Sequence, residues 1–372
     1  MTLSTDSIAV VGIHHTPYQR AVETQSLEEM VFAAARGALA DAGLTIHDID
    51  AVVLSTTDQV EGRVIESMVV NGAAGGVGRD VTTIASSGEH AFAYAYLSLL
   101  AGQADHVLVA VWSKESEGLN PAHADWLGAE PFLLRRLGLT SVAAAGLQAS
   151  AYTARYGPDE AAVHSLRDVR AAAATTAGAM VETDATGRLV AWPLTDLDLP
   201  RGCDMACAAV LTTAGRVTPG QNPAWIRGIG WATECYDLSG RDLTGFGSLA
   251  AAARMALGTD VLATDIDILE IQEISTIGAF GAAEAVGLAP AGEGAGAALS
   301  AAVNPSGGNL FADPGNASGF LRILQAAQQI RGAAGAVQVH PRPRTALAAA
   351  VHGFAGQGAA VVSLTADQAE AA

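Results

Sequence analysis

Short apolar runs alternate with amphipathic helical patterns along most of the chain. In the first third, apolar runs that fit buried strands cover residues 7–13, 48–55, 81–85 and 106–112. Helical patterns begin after Ser26, where Glu29 completes a capping-box spacing, and after the turn Ser86-Ser87-Gly88. Strands that alternate with helices predict an α/β protein whose parallel sheet is covered by helices on both faces.

The alternation is interrupted between residue 113 and about residue 200. This stretch contains two helical patterns, over about 142–156 and 159–179, and an arginine pair. We interpret it as an inserted loop domain. A strand pattern over residues 206–213 then closes the first half of the chain.

Four features of the first half recur in the same order in the second half. Residues 224–231 match the first strand, and Asp265-Ile266-Asp267 repeats Asp48-Ile49-Asp50. Ala317-Ser318-Gly319 precedes a helix as Ser86-Ser87-Gly88 does, and residues 358–365 match residues 206–213. The pattern predicts two copies of one α/β unit. The first covers residues 1–215 with the insertion at about 113–200, and the second covers 220–372.

A duplicated α/β protein binds its ligand where strand ends and helix N-termini of the two halves meet. The predicted ligand site is therefore built from four turns, at residues 85–88, 272–276, 304–315 and 352–358.

Composition excludes several classes of partner. The net charge of −18 argues against nucleic acid and anionic membranes as partners. No apolar run reaches the roughly 18 residues that span a bilayer, and the N-terminus lacks a signal-peptide pattern. The three cysteines do not suggest a disulfide framework. We therefore expect a cytoplasmic protein. Lys114 is the only lysine, so Schiff-base chemistry would depend on it alone.

The sequence predicts no metal site. His14 and His15 are adjacent on a strand and point to opposite faces. No group of cysteines and histidines has the spacing of a zinc site, which disfavours a metal-dependent reaction.

Four segments carry a family resemblance: SSGEHAFAYAYLSLLAGQADHVLVA, DIDILEIQEIST followed by AAEAVGL, VNPSGGNLFADPGNASG, and VHGFAGQGAAVVSL. Together they resemble the thiolase superfamily, and within it the sterol-carrier-protein or lipid-transfer type. The resemblance covers essentially the whole chain. It implies duplicated βαβαβ units in five layers, α-β-α-β-α. It also implies acyl-CoA substrates, no covalently bound cofactor beyond the coenzyme A of the substrate, and a homodimer formed through an edge strand.

The catalytic motifs of that family are altered here. The motif with the nucleophilic cysteine corresponds to residues 85–88, which places Ala85 at the nucleophile position. The family's catalytic histidine falls at Asp313, its late catalytic cysteine at His352, and the polar residue after the Asp-Ile-Asp strand at Gln272. Thiolase turnover needs a thiolate that forms an acyl-enzyme. None of the three cysteines lies in these motifs, so we do not expect ordinary thiolase turnover.

The remaining polar groups suit aldol or retro-aldol chemistry on a β-hydroxyacyl thioester. A base takes the β-hydroxyl proton, the carbon–carbon bond breaks, and hydrogen-bond donors hold the thioester enolate. The predicted catalytic residues are His352, Asp313, Gln272 and Glu273. The predicted groups that orient the thioester carbonyl lie at Ala85, Ser86 and Gly353. The predicted substrate-binding residues are Ser87, Asn304, Gly307, Gly308, Arg135 and Arg136, with Arg167 and Arg170 as further candidates for the CoA phosphates.

The resemblance also implies a partner. Thiolase-like aldolases of steroid side-chain breakdown pair with a small zinc-ribbon/OB-fold protein. They resemble one another in using tyrosines, where this chain has Asp313 and His352. The loss of both cysteines fits equally a non-catalytic subunit that supports such a partner or a second, catalytic thiolase chain.

Other interpretations of single residues stay open. His352 fits a core histidine on a glycine-rich turn, and Asp313 before Pro314 fits a turn former. Glu273 fits an ion pair with an arginine. Ser86 would make the protein an acyltransferase, although the sequence does not identify a base for it.

Overall fold

The computed structural model describes residues 7–58, 65–118, 121–157, 160–259 and 261–371. The strands in these ranges are β1 (Ile8–His15), β2 (Ala51–Ser55), β3 (Asp80–Ile84), β4 (His106–Ser113), β5 (Leu189–Ala191), β6 (Leu194–Thr195), β7 (Met205–Thr213), β8 (Ala224–Thr233), β9 (Ile268–Ile271), β10 (Thr345–His352) and β11 (Gly358–Thr365). The α-helices are α1 (Leu27–Ala42), α2 (Glu66–Val70), α3 (Gly88–Leu100), α4 (Pro121–Gly128), α5 (Ser141–Tyr156), α6 (Glu160–Ala177), α7 (Gly247–Leu257), α8 (Thr276–Ala285), α9 (Gly294–Ala298) and α10 (Ser318–Arg331).

Nine strands form one sheet in the order β3-β2-β4-β7-β1-β8-β11-β10-β9. The two halves of the chain meet at its centre, where β1 pairs with β8 through only two residue pairs, Ala9 with Trp225 and Val10 with Ala224. From this centre outwards, the strand order of the first half is β1-β7-β4-β2-β3. The matching order in the second half is β8-β11-β10-β9, and the single bridge of Val303 to Leu269 stands where the fifth strand would be. The strand order of the second half thus copies that of the first.

The sheet is mixed, so the prediction of a parallel sheet is wrong in part. Strand β2 runs parallel to β3 and β4, and β9 runs parallel to β10. The strands β7, β1, β8 and β11 make antiparallel pairs with their neighbours. Helices connect the parallel strands, whereas β10 turns directly into β11 through five residues. A short connection of this kind can only join antiparallel strands.

The helices form three layers around the two halves of the sheet. Helices α3 and α10 lie between the halves, where the rings of Phe92 and Phe320 are 6.2 Å apart. Helix α1 covers the outer face of the first half, and α7 covers that of the second. The result is the α-β-α-β-α arrangement that was predicted.

Helix α1 shows how local sequence produces this packing. The Ser26 side chain accepts a hydrogen bond from the backbone of Glu29, whose carboxylate accepts one from Ser26 in return, so the predicted capping box is present. Gly12 of β1 lets the helix lie close, because a Cβ there would be 2.2 Å from the carbonyl oxygen of Ala38.

The region between β4 and β7 contains α4, α5, α6 and the β5–β6 hairpin. Helices α5 and α6 pack on α8 of the second half through Tyr152, Leu166 and Phe280. None of the described helices combines the length and apolar character needed to cross a lipid bilayer.

Candidate active site

The first turns of α3 and α10 cross in close contact. A Cβ at Gly88 would lie 2.8 Å from the Cβ of Phe320, and one at Gly319 would lie 2.4 Å from Oε2 of Glu89. The glycines in the first turns of the two helices are therefore required by the crossing. Both helix N-termini point to one region, where their free N–H groups favour negative charge.

A carboxylate–histidine pair occupies this crossing. Glu89, the second residue of α3, is 1% exposed and accepts a hydrogen bond from Nδ1 of His352 at 3.1 Å. The hydrogen bond places the ring proton on Nδ1 and leaves Nε2 of His352 as an acceptor. The His352 side chain is 27% exposed, so its ring is open to a ligand. The geometry is that of a base oriented by a carboxylate.

Gly358 of β11 leaves room for this ring. It is the direct cross-strand partner of His352, and a Cβ there would lie 2.0 Å from Nε2. The glycine at this position is thus part of what allows His352 to point into the site.

His90 extends the pair into a cluster. Its ring lies edge-on to that of His352, with the centroids 4.8 Å apart. Its Nδ1 is 3.1 Å from Oγ of Ser86. Burial lowers the pKa of His90, Glu89 opposes that shift, and His352 adds to it. Ser86 therefore has a neutral imidazole beside it, which the sequence did not identify.

Gln272 lies beside His352. It follows β9, its N–H donates to the carbonyl oxygen of Ala349, and its Oε1 accepts a 3.2 Å hydrogen bond from the N–H of Val351. This bond holds the side-chain amide next to the end of β10, where the exposed Gly353 follows His352 with a φ of 72°. Gln272 is therefore tied to β10 one residue before His352.

The nucleophile turn is fixed to the start of α10. Ser55 Oγ donates to the carbonyl oxygen of Ser86 at 2.5 Å and accepts a 3.1 Å hydrogen bond from Asn316. Ala85 is exposed and carries no reactive group, and Ser87 is the N-cap residue of α3. The turn thus offers backbone groups and the Ser86 hydroxyl to a ligand.

Asp313 faces a different group of side chains. Burial raises its pKa to about 6, while Ser318, Arg322 and Asn309 favour its charged form. Glu115, just after β4, has its pKa raised to about 7 by burial and then by the charge of Asp313. None of the described contacts joins Asp313 to His352, Gln272 or Ala85. The predicted site therefore has two separate acid–base groups.

Residues 230–365 match the family described as "Thiolase C-terminal domain-like". The fold is that of an "Ltp2-ChsH2(DUF35) aldolase", with a TM-score of 0.79, 20% identity, and 97% of this chain and 98% of that chain covered. The chain has a thiolase-like fold.

Two other solved structures share the fold. The acetyl-CoA acetyltransferase of Syntrophomonas wolfei has a TM-score of 0.73 and 17% identity over 98% of this chain and 100% of that chain. A monomeric SCP2-thiolase-like protein type 1 of Mycobacterium smegmatis has a TM-score of 0.72 and 16% identity over 98% of this chain and 78% of that chain. No curated protein sequence matches the chain significantly.

Several predicted site residues make contacts within the protein and do not face His352. Glu273 is 1% exposed and accepts a 2.8 Å hydrogen bond from Arg170, so it pairs with an arginine and does not face His352. The Asn304 side chain bonds the N–H and the carbonyl oxygen of Ile271 at 2.6 and 2.9 Å. The catalytic prediction for Glu273 and the substrate-binding prediction for Asn304 therefore lack structural support.

The predicted glycine and arginine contacts are also used in packing. A Cβ at Gly307 would lie 2.5 Å from the backbone of Ala174, and one at Gly308 would lie 2.7 Å from Oε2 of Glu273. Arg135 donates to the carbonyl oxygen of Leu127 and stacks on Trp126. Of the remaining arginines, Arg167 pairs with Asp198 and Arg170 with Glu273, whereas the described contacts include none for Arg136. The described contacts of Arg135, Arg167 and Arg170 are thus with other groups of the protein.

Neither the cysteines nor the lysine supplies a covalent catalyst at the helix crossing. Cys203 and Cys207 are buried, and burial raises the pKa of both thiols. Cys235 is exposed and follows β8. Lys114 is 1% exposed and forms an ion pair with Glu117, so it is not placed for a Schiff base.

One group of side chains offers metal ligands. Glu89, His90 and His352 each have a donor atom, and these atoms lie within 4.8 Å of one another. Zinc bonds of about 2.0–2.1 Å to nitrogen require donor atoms roughly 3.3 Å apart. The Glu89–His352 hydrogen bond and the contact of His90 to Ser86 already use three of the available donor atoms. Each of the three residues keeps a second donor atom, and Oε2 of Glu89 is buried without a hydrogen-bond partner among the described residues.

The sequence analysis missed Glu89, His90, Glu115 and Asn316. Each of these residues lies at a strand end or a helix start of the predicted site, which is the signal that could have identified them. Glu89 and His90 follow the nucleophile turn directly, and Glu115 follows β4. The partners of Glu89 and Asn316 lie in the other half of the chain, so the sequence does not show those pairings, whereas Ser86 and His90 are only four residues apart.

Proposed function

We propose that this thiolase-like protein catalyses aldol or retro-aldol chemistry on a β-hydroxyacyl-CoA without forming an acyl-enzyme. The observation that carries the proposal is the hydrogen bond from His352 to the buried Glu89, which presents Nε2 of His352 as a base. Ala85, at the position of the nucleophile, supplies no reactive atom. A reaction that needs a base and an oxyanion site but no nucleophile fits both facts.

In the proposed cleavage, Nε2 of His352 accepts the β-hydroxyl proton. The electrons of the O–H bond form the new carbonyl, and those of the Cα–Cβ bond move into the thioester to give its enolate. The Gln272 amide and the backbone N–H groups at the start of α3 stabilise the enolate oxygen. Protonation of the α-carbon then yields a shortened acyl-CoA and a ketone or aldehyde.

The comparisons support this choice among thiolase reactions. An aldolase is among the structures that share the fold, and it is a complex with a DUF35 protein. We propose a similar small zinc-ribbon/OB-fold partner here, and an acyl group of the lipid or steroid side-chain type. By the same resemblance, the homodimer would form through β3, an edge strand on which Thr83 is exposed.

The test uses the full chain, alone and together with a DUF35 partner protein. It is incubated with β-hydroxyacyl-CoA thioesters, and the released acyl-CoA and carbonyl product are measured by liquid chromatography and mass spectrometry. We expect cleavage by the wild type and loss of cleavage in His352→Ala, with acyl-CoA binding retained. Unchanged turnover in His352→Ala would contradict the base assignment. If the wild type binds acyl-CoA but cleaves none, a non-catalytic subunit is favoured.

Acyl transfer through Ser86 is the second candidate, because His90 lies 3.1 Å from Oγ of Ser86. The neutral imidazole could accept the hydroxyl proton while Oγ attacks the thioester. Ser86→Ala separates the two functions. An acyl-enzyme detected by intact-protein mass spectrometry in the wild type and absent in Ser86→Ala would support acyl transfer. Full cleavage activity in Ser86→Ala would support the aldolase.

A further inference from the structure

Three side chains with metal-ligating atoms meet where α3 and α10 cross. Glu89 and His90 are consecutive residues in the first turn of α3, and His352 ends β10. One ligand atom of each lies within 4.8 Å of those of the other two, and no second group of this kind occurs among the residues that the structure describes. The two halves of the chain thus bring one carboxylate and two imidazoles to one point. Zinc takes this donor set in proteins and leaves its fourth position to water or another ligand.

The contact between Glu89 and His352 already has the spacing of two ligands of one ion. Oε1 of Glu89 is 3.1 Å from Nδ1 of His352. Two donor atoms of a tetrahedral zinc ion with bonds of about 2.0 Å lie roughly 3.3 Å apart. An ion can therefore take the place of the proton that joins these two atoms. A third donor atom as far away as 4.8 Å has to move closer by about 1.5 Å, which rotation of the His90 imidazole can supply.

His90 is prepared to supply the third ligand. Its Nδ1 is 3.1 Å from Oγ of Ser86, which leaves Nε2 for an ion. The rings of His90 and His352 are already neighbours, with their centroids 4.8 Å apart. Burial lowers the pKa of His90, so its imidazole is neutral, as metal binding requires.

The carboxylate of Glu89 has an unused ligand atom. The side chain is 1% exposed, and Oε2 has no hydrogen-bond partner among the described residues. The one ion pair that the described contacts give to Glu89 is that with His352. Buried carboxylates are normally paired with a cation or bound to a metal ion. An ion at this carboxylate would complete the pairing of its charge.

An ion can reach the site from solvent. The His352 side chain is 27% exposed, and His90 is half-buried. The N-termini of α3 and α10 weaken the attraction for a cation, but their effect falls off within about one turn, whereas the net charge of −18 draws cations to the chain as a whole.

We propose that Glu89, His90 and His352 form a binding site for a zinc ion, and that the bound ion switches off His352 as a base. Oε1 of Glu89, Nδ1 of His352 and a nitrogen of His90 bind the ion. The proton on Nδ1 of His352 moves through solvent to Nε2, and the Nδ1 lone pair forms the bond to zinc. The neutral ring then carries its one proton on Nε2, which can no longer accept a proton from a hydroxyl group. The metal site goes beyond the proposed function, and only its effect on cleavage rests on that function.

Zinc binding is measured on the full chain, independently of any reaction. The chain is stripped of metal with EDTA, dialysed, and titrated with Zn²⁺ in competition with a chromophoric chelator. We expect equimolar binding by the wild type. Glu89→Gln, His90→Gln and His352→Gln should each weaken binding about 100-fold or more, because loss of a group that merely supports a ligand already costs about 10- to 100-fold.

His47→Gln is the matched control, since His47 is exposed in the 3₁₀ helix Ile46–Asp48. It should bind zinc as the wild type does. Circular dichroism checks the folding of each variant, and the half-buried His90 decides the test if Glu89→Gln does not fold. No equimolar binding by the wild type, or unchanged binding in His90→Gln and His352→Gln, would overturn the site.

Cleavage of a β-hydroxyacyl-CoA tests the switch. Zinc should inhibit the wild type over the concentration range in which it binds, and EDTA should restore the rate. Measured against its own rate without metal, His90→Gln should need about 100-fold more zinc for the same inhibition, in line with its loss of affinity. A zinc-bound wild type that cleaves at the full rate or faster would overturn the switch. If equimolar zinc binds through the three residues but no β-hydroxyacyl-CoA is cleaved without zinc, the metal site stands and the retro-aldol proposal fails.

Discussion

Replacing Glu115 by glutamine should stabilise the protein at high pH. The pKa of Glu115 rises from its ordinary value of 4.5 to about 7 on folding, so the folded chain binds more protons than the unfolded chain between these values. The contribution of Glu115 to the free energy of unfolding is therefore most favourable below about pH 4.5, and it is lost as the pH rises to about 7. Each pKa unit corresponds to about 1.4 kcal/mol, so the free energy of unfolding falls by roughly 3 kcal/mol. Contact of the carboxyl group with solvent makes this fall smaller, and we expect about 2 kcal/mol.

The assay is urea unfolding of the wild type and Glu115→Gln at pH 5 and pH 8, followed by tryptophan fluorescence at one protein concentration. The difference in free energy of unfolding should be small at pH 5 and should reach about 2 kcal/mol in favour of Glu115→Gln at pH 8. Glu23→Gln, an exposed carboxylate, should show no such difference. A Glu115→Gln variant that is no more stable than the wild type at pH 8 would refute the account of a buried, charge-opposed carboxyl group.

Three further predictions concern the helix crossing and the buried ion pair. Glu89→Gln should lower kcat for cleavage about 10- to 100-fold with KM unchanged, as measured by steady-state kinetics. The reason is that a charge-assisted hydrogen bond contributes about 1.5–3 kcal/mol to the orientation of His352. Gly319→Ala should destabilise the protein by about 1–3 kcal/mol, because the new Cβ would lie 2.4 Å from Oε2 of Glu89. The control Gly296→Ala places its Cβ in open space and should leave the stability unchanged; thermal unfolding of the two variants measures the difference. Glu273→Leu should cost about 3–5 kcal/mol by leaving the buried Arg170 unpaired, and Arg170→Met in the same chain should restore most of it.

The sequence carried enough information for most of the fold. Its period-2 and period-3.6 patterns locate β1, α1, β4 and β7 within two or three residues, because these elements bury regular faces. Strand direction was not predictable in the same way. It depends on whether a connection crosses over through a helix, and β10 was missed because its alanine-rich run gives no strong strand signal.

Part of the site could be predicted from the positions of strand ends. His352 ends β10 and Gln272 follows the parallel neighbour β9, and the Gln272 side chain accepts a hydrogen bond from Val351, next to His352. Asp313 precedes a helix whose first turn crosses α3, yet its charge acts on Glu115, and none of the described contacts joins it to His352. Glu273, Asn304, Gly307 and Gly308 make their contacts in or next to α6 and β9, with residues that are distant in the sequence. No local sequence pattern encodes such contacts.

Chemical rescue of His352→Gly tests the central claim most directly. Removal of the ring leaves a space beside Glu89 that imidazole can enter, since the native side chain is 27% exposed. Cleavage of a β-hydroxyacyl-CoA should be lost in His352→Gly and should return in proportion to added imidazole, with Glu89→Gln/His352→Gly rescued less well. Wild-type cleavage by His352→Gly without imidazole would contradict the assignment of His352 as the base.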